Sequence, residues 1–289
     1  MRHVSVRHRA IAALEAAASA VRPGVPRPRP GYLPDWQDNL LPDLDPASFT
    51  ADVALGDGGE LAVDPRNGVC KFQAVHSSAA LCVNVFAPLR STPEALTLPG
   101  MTGAISLSFE RQLPMWPGNG HGRGRAPNLD LVVEAAGSAI AVESKCIEYL
   151  DPAKPASFRP SYATELPPEA RASAWFAVMQ RLIAEPVAYR HLNAAQLVKH
   201  AFGMIHSLGQ PRRTLLYLYW EPRDAADHPV FAEHRAEIDR FADLVRDDAA
   251  VTFEAMSYPE LWASWDAAGS NFLPAHVAAL RRRYDVALV

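Results

Sequence analysis

The 289-residue chain reads as an α/β protein on three observations. Residues 127–134 and 139–146 are short apolar runs rich in β-branched residues, and Ala135-Ala136-Gly137-Ser138 between them is a tight connection, so the pair reads as a β-hairpin. Residues 103–111 alternate, with Ile105, Leu107 and Phe109 on one face and Ser106, Ser108 and Glu110 on the other, as a strand with one buried side does. Residues 194–207 carry Ala194, Leu197, Val198, Ala201 and Ile205 at helical spacing and lead into the strongly apolar strand 214–220. With a helix opening at Ser77 or Ser78, the order is helix, three strands, helix, strand.

In chain order, residues 1–30 begin with basic residues and an Ala-rich run. Glu15 interrupts that run and alanine is barely hydrophobic, so a short amphipathic helix ended by Pro23 is expected rather than a secretory signal. Four prolines then follow within nine residues, which makes 1–30 a basic, semi-rigid arm that either contacts nucleic-acid phosphate or is simply solvated. Residues 31–69 are Pro-, Asp- and Gly-rich and are expected to be irregular, with one short strand near 60–63. Ser77 or Ser78 caps a helix carrying Ala80, Leu81, Val83 and Val85, which Pro88 ends.

Residues 117–127 form a glycine-rich loop bearing His121, Arg123 and Arg125 just before Asp130, a setting that suits an anionic ligand. Residues 147–168 are again irregular, and a core-facing helix is expected over 169–184 with Pro186 as its stop. Asn193 is a fitting N-cap for the next helix, with Gln196 three residues on as in a capping box. A charged helix over about 229–248, a strand at 251–256 and helices near 258–267 and 274–284 complete the chain. Arg281-Arg282-Arg283 is expected to lie on a solvated face. The prediction is therefore a 1–30 arm and a single 31–289 domain, with its core at about 76–220 and a C-terminal extension over 221–289.

Composition excludes several classes. A hydrophobic fraction of 49% with 21% charged residues is ordinary for a globular protein. A net charge of −4 leaves no global basic signature, so polyanion binding requires a local patch. Cys70, Cys82 and Cys146 have no paired spacing, which points away from a disulfide framework and toward the cytoplasm. No run approaches the roughly 18 apolar residues of a membrane helix.

The hairpin carries the chemistry. Side chains alternate along a strand, so Asp130, Val132 and Glu134 share one face, as do Ala141, Glu143 and Lys145. If Glu134 pairs with Ala139, Asp130 lies opposite Glu143. A connection tightened at Gly137-Ser138 sets it opposite Lys145 instead. Either register gathers all three charges on one patch, where two facing carboxylates are unfavourable unless something positive sits between them. A divalent metal is the natural candidate. A surface salt bridge would account for Lys145 and one acid, and would leave the other acid unpaired among apolar neighbours.

Asp130 and Glu143-Ser144-Lys145, set on adjacent strands with a helix and a strand following, resemble the signature of the PD-(D/E)XK nuclease superfamily. The resemblance covers about residues 76–220. It implies the restriction-endonuclease-like fold, a mixed central β-sheet flanked by helices with an αβββαβ core. It further implies a nuclease acting on nucleic acid, DNA foremost, with Mg²⁺ or Mn²⁺ held by Asp130, Glu143 and the backbone carbonyl of Ser144. Lys145 would then orient or help deprotonate the attacking water. No membrane partner is implied, and a homodimer is compatible with it. Relatives carrying the first motif place proline directly before the acid, whereas here Pro127 is displaced by Asn128-Leu129. Many also carry Gln-x3-Tyr on the following helix, where this chain has Gln196 and His200. Glu110 is a candidate third acid, although an ordinary exposed glutamate explains it too. Arg123 and Arg125 are candidate substrate contacts. A catalytically inactive module that binds nucleic acid or protein is the alternative, and a hydrolase of other phosphoesters a third.

Overall fold

The computed structural model describes residues 4–26, 28–56, 59–119, 126–268 and 273–288. Five strands form one sheet in the order β1-β2-β3-β4-β5: β1 (Ala104–Gln112), β2 (Asn128–Ala135), β3 (Ser138–Lys145), β4 (Arg212–Tyr219) and β5 (Thr252–Ser257). The β1–β2 and β2–β3 pairs are antiparallel, while β3–β4 and β4–β5 are parallel. The sheet is thus mixed, as the restriction-endonuclease-like reading expects, and strand 251–256 joins it as an edge.

The helices are α1 (Val6–Val21), α2 (Ala47–Leu55), α3 (Ser78–Phe86), α4 (Ser161–Thr164), α5 (Pro168–Ala172), α6 (Ala174–Ala184), α7 (Ala194–Ser207), α8 (Pro229–Val245), α9 (Tyr258–Ala267) and α10 (Leu273–Tyr284). Helix α3 is capped by the Ser77 side chain, which accepts from the Ala80 N–H, and every residue from Ala79 to Phe86 is buried. It packs on β2 and β3, while α7 packs on β4 and both α8 and α9 pack on β5. Parallel strands need their faces covered because the crossover helices lie there. Helix α1 lies along α10, with Ala10, Leu14, Ala17 and Ala18 buried.

Five local expectations differ from what is observed. Residues 47–55 form α2, because Phe49 and Val53 at i, i+4 reach the core and Asp45 accepts from the Ala47 N–H. The Pro- and Asp-rich flanks hide that short apolar face, and residues near 60–63 form turns instead of a strand. The helix expected over 169–184 breaks at Ser173, whose ψ of 157° is extended, where the Ala174 N–H turns to the Asp248 carboxylate. Ile105 points outward with 65% exposure because the pairing slips between Ala104 and Ser106, which inserts one residue as a β-bulge. Arg283 is buried rather than solvated. The three cysteines are free and buried.

Candidate active site

The hairpin closes through a two-residue turn, Ala136-Gly137, with Gly137 at φ 71° in the left-handed region that glycine tolerates. Glu134 pairs with Ala139 and Leu131 with Val142, so of the two registers open to the sequence the one setting Asp130 beside Glu143 is adopted. On the other flank, the pairs Phe109↔Leu131 and Arg111↔Leu129 bracket Glu110 against Asp130. Three carboxylates therefore stand in a row across β1, β2 and β3.

These groups line an open cleft of about 840 Å³ together with Lys145, Gln196 and His200. Oδ2 of Asp130 accepts from the Ser144 backbone N–H at 2.8 Å. The Ser144 hydroxyl donates to the Ser78 carbonyl at 3.0 Å and lies 2.7 Å from the Tyr258 hydroxyl, tying β3 to α3 and α9. Oε1 of Glu143 takes the Lys145 ammonium, and its Oε2 lies 2.8 Å from Nε2 of His200. The His200 ring approaches off-axis, so the contact is a close approach rather than a directed hydrogen bond. Lys145 also donates to Oε1 of Gln196 at 3.2 Å, and that same oxygen accepts from Asn193 at 3.1 Å.

Burial and neighbouring charge set the protonation of each group. Burial, then the Glu143 and Glu110 carboxylates, push Asp130 well above the usual carboxylate range. Burial would raise Glu143 as well, but Lys145 and His200 outweigh it and hold Glu143 near about 2. Burial would lower Lys145, and the carboxylates of Glu143, Glu148 and Asp130 raise it instead. Glu110 is pushed up to about 7 by burial and by Glu60. The patch therefore pairs one firm carboxylate, Glu143, with one firmly protonated ammonium, beside two acids whose ionisation is disfavoured.

The structure thus brings Asp130, Glu143, Ser144, Lys145, Glu110, Gln196 and His200 together. Glu110 is 8% exposed, not an ordinary exposed glutamate, and receives a long contact of 3.4 Å from the Asn128 amide. Arg123 and Arg125 lie outside the described residues. Sequence reading passed over Asn128, which alternation places on the Asp130 face two positions earlier, and Glu148, whose carboxylate accepts from the Cys146 N–H at 2.7 Å. Arg7, which also lines the cleft, lies in the 1–30 stretch read as a basic arm, although nothing local singled it out within that stretch.

Among the described residues, no group of three or more His, Cys, Asp or Glu side chains is arranged to hold a metal ion. Among the same residues, no helix is long and apolar enough to cross a membrane. The model of a family described as restriction endonuclease associating with ARP matches residues 39–285. No curated protein and no solved structure matches the chain.

Proposed function

The chain belongs to the family described as restriction endonuclease associating with ARP, and from that premise we propose that it is a divalent-metal-dependent nuclease hydrolysing phosphodiester bonds of DNA. The observation supporting this most is the meeting of Asp130 and Glu143, from adjacent strands, with Lys145 two residues further on in one cleft. That grouping resembles the PD-(D/E)XK signature, and the mixed sheet that carries it supports the reading.

Asp130, Glu143 and the Ser144 carbonyl are the residues that would hold Mg²⁺ or Mn²⁺. The donor set fits: these are hard oxygens, and Mg²⁺ is typically bound by one or two carboxylates with water and substrate phosphate completing the shell. The unfavourable ionisation of Asp130 beside two other carboxylates is the deficit that a cation relieves. When bound, the ion supplies Lewis-acid polarisation of a phosphoryl oxygen and acidifies the attacking water. Lys145, protonated and aimed by Gln196 and Glu143, offsets charge developing on the phosphate and orients the water. Its raised basicity makes it a poor acceptor of the water's proton. His200 keeps the Glu143 carboxylate in place.

One observation favours the alternative of an inactive binding module: both oxygens of Glu143 are already engaged within the chain, one by the Lys145 ammonium and one by the His200 ring. A carboxylate offers about four lone-pair sites, so two remain for a metal. Incubating supercoiled plasmid with Mg²⁺ or Mn²⁺ separates the readings. Wild type is expected to nick, and Asp130→Ala and Lys145→Ala are each expected to lose activity on the order of 10²-fold or more. Titration calorimetry with Mn²⁺ is expected to show binding that Asp130→Ala loses. Equal nicking by all three proteins removes the proposed site. DNA binding without cleavage establishes the module.

A further inference from the structure

The cleft poses an electrostatic problem for a polyanion. Its walls carry six carboxylates, Glu60, Glu110, Asp130, Glu143, Glu148 and Asp151, and the chain as a whole is acidic. Its described cations are Arg7, Lys71, Lys145 and Lys199. Lys145 is committed to Glu143, and the Lys199 ammonium sits 5.1 Å from the Phe158 ring centroid. The remaining two stand as ion pairs in which at least one partner faces solvent. Nε of Arg7 lies 2.8 Å from Asp151, with side-chain exposures of 33% and 60%, and Nζ of Lys71 lies 2.7 Å from Glu60.

Arg7 is presented from a fixed support. Helix α1 buries Ala10, Leu14 and Ala18, its Leu14 carbonyl accepts from Arg283 at 3.2 Å, and Glu15 accepts from the Gly31 N–H at 3.2 Å. Structural need explains Arg7 poorly. A cation in the first turn opposes the helix dipole at a cost of roughly 0.3–1 kcal/mol, and an exposed ion pair returns about as little. The guanidinium does match the bidentate geometry of a phosphate, which competes well with a single carboxylate contact.

We propose that Arg7, on a helix that precedes the family-matched residues 39–285, is a phosphate-contacting residue of the cleft, held by Asp151 until a DNA phosphodiester displaces that carboxylate. Lys71 with Glu60 is arranged in the same way. The inference rests on the nuclease reading and extends it to how substrate is admitted.

The test is anisotropy of a short labelled duplex DNA with the full chain, without divalent metal, across a range of salt. Arg7→Ala is expected to weaken binding about tenfold at low salt and to reduce the log–log salt slope by about 1. Asp151→Ala leaves Arg7 in place and removes its competitor, so binding is expected to tighten severalfold. Wild-type affinity in Arg7→Ala, or no tightening in Asp151→Ala, overturns the assignment. If wild type cleaves plasmid while Arg7→Ala binds equally well, the nuclease reading stands and Arg7 leaves it. If wild type neither binds the duplex nor cleaves, both fall.

Discussion

Glu110 is the described non-glycine residue with a left-handed backbone, at φ 48°. Such a conformation costs of order 1 kcal/mol or more and persists only where the surroundings impose it. Gly56 is part of that imposition: a Cβ there would stand 2.8 Å from the Glu110 carbonyl oxygen, so only glycine lets the two segments close. The turned backbone belongs to a buried carboxyl whose folded value of about 7 lies above the ordinary 4.5. A raised acid keeps its proton longer in the folded state. Its contribution to stability is therefore complete below about pH 4.5 and lost as pH rises through about 7. Glu110→Gln is expected to stabilise the metal-free protein by about 3 kcal/mol near pH 8 and little near pH 5, as read by urea unfolding. A gain independent of pH would show that the carboxyl is not the cause.

At the scale of elements, the placing of α7 matters most, since it delivers Gln196 to Lys145 and His200 to Glu143. Its entry is set from α8. The Glu237 carboxylate accepts from the backbone N–H groups of Arg190, His191 and Leu192, each at 2.8 Å. His191 adds a 2.8 Å bond to the Tyr149 carbonyl. Asn193 then caps the helix by accepting from the Gln196 N–H. Removing a buried acceptor leaves its donors unsatisfied at about 1–3 kcal/mol each. Glu237→Ala is expected to destabilise by about 3 kcal/mol in chemical denaturation. It should also raise amide hydrogen exchange over residues 188–200 above that of β3. Uniform exchange would mean that α7 is held by packing alone.

At the scale of the molecule, Arg283 joins three stretches remote in sequence. It donates to the Leu14 carbonyl in α1 at 3.2 Å, to Asn39 at 2.8 Å and to the Val75 carbonyl at 3.0 Å, while only 3% exposed. Asn39 in turn donates to the Phe72 and Ala74 carbonyls, and Asn84 of α3 donates to the Tyr284 hydroxyl at 2.7 Å. A buried cation satisfied by carbonyls is costly to delete, because every acceptor loses its partner at once. Arg283→Leu is expected to lower stability by about 3 kcal/mol or more in thermal and urea unfolding, and to expose α1 to proteolysis first. Wild-type stability would show that packing of α1 on α10 suffices.

Strand period 2 and a local turn are enough to gather Asp130, Glu143 and Lys145 on one patch, so that much was legible from the residues. The helix with Gln196 and His200 on one polar stripe was legible for the same reason, since i and i+4 share a face. The choice between the two hairpin registers, the inward turn of Glu110 and the slip that exposes Ile105 depended on the neighbouring strands, whose pairing leaves no periodic trace. So did the Arg283 staple, whose bond to Leu14 spans 269 positions. Periodicity records which face a side chain takes within its own element. Only the packing of distant elements decides which of those faces meet, and with them how the acidic row, Arg7 and the cleft come to share one site.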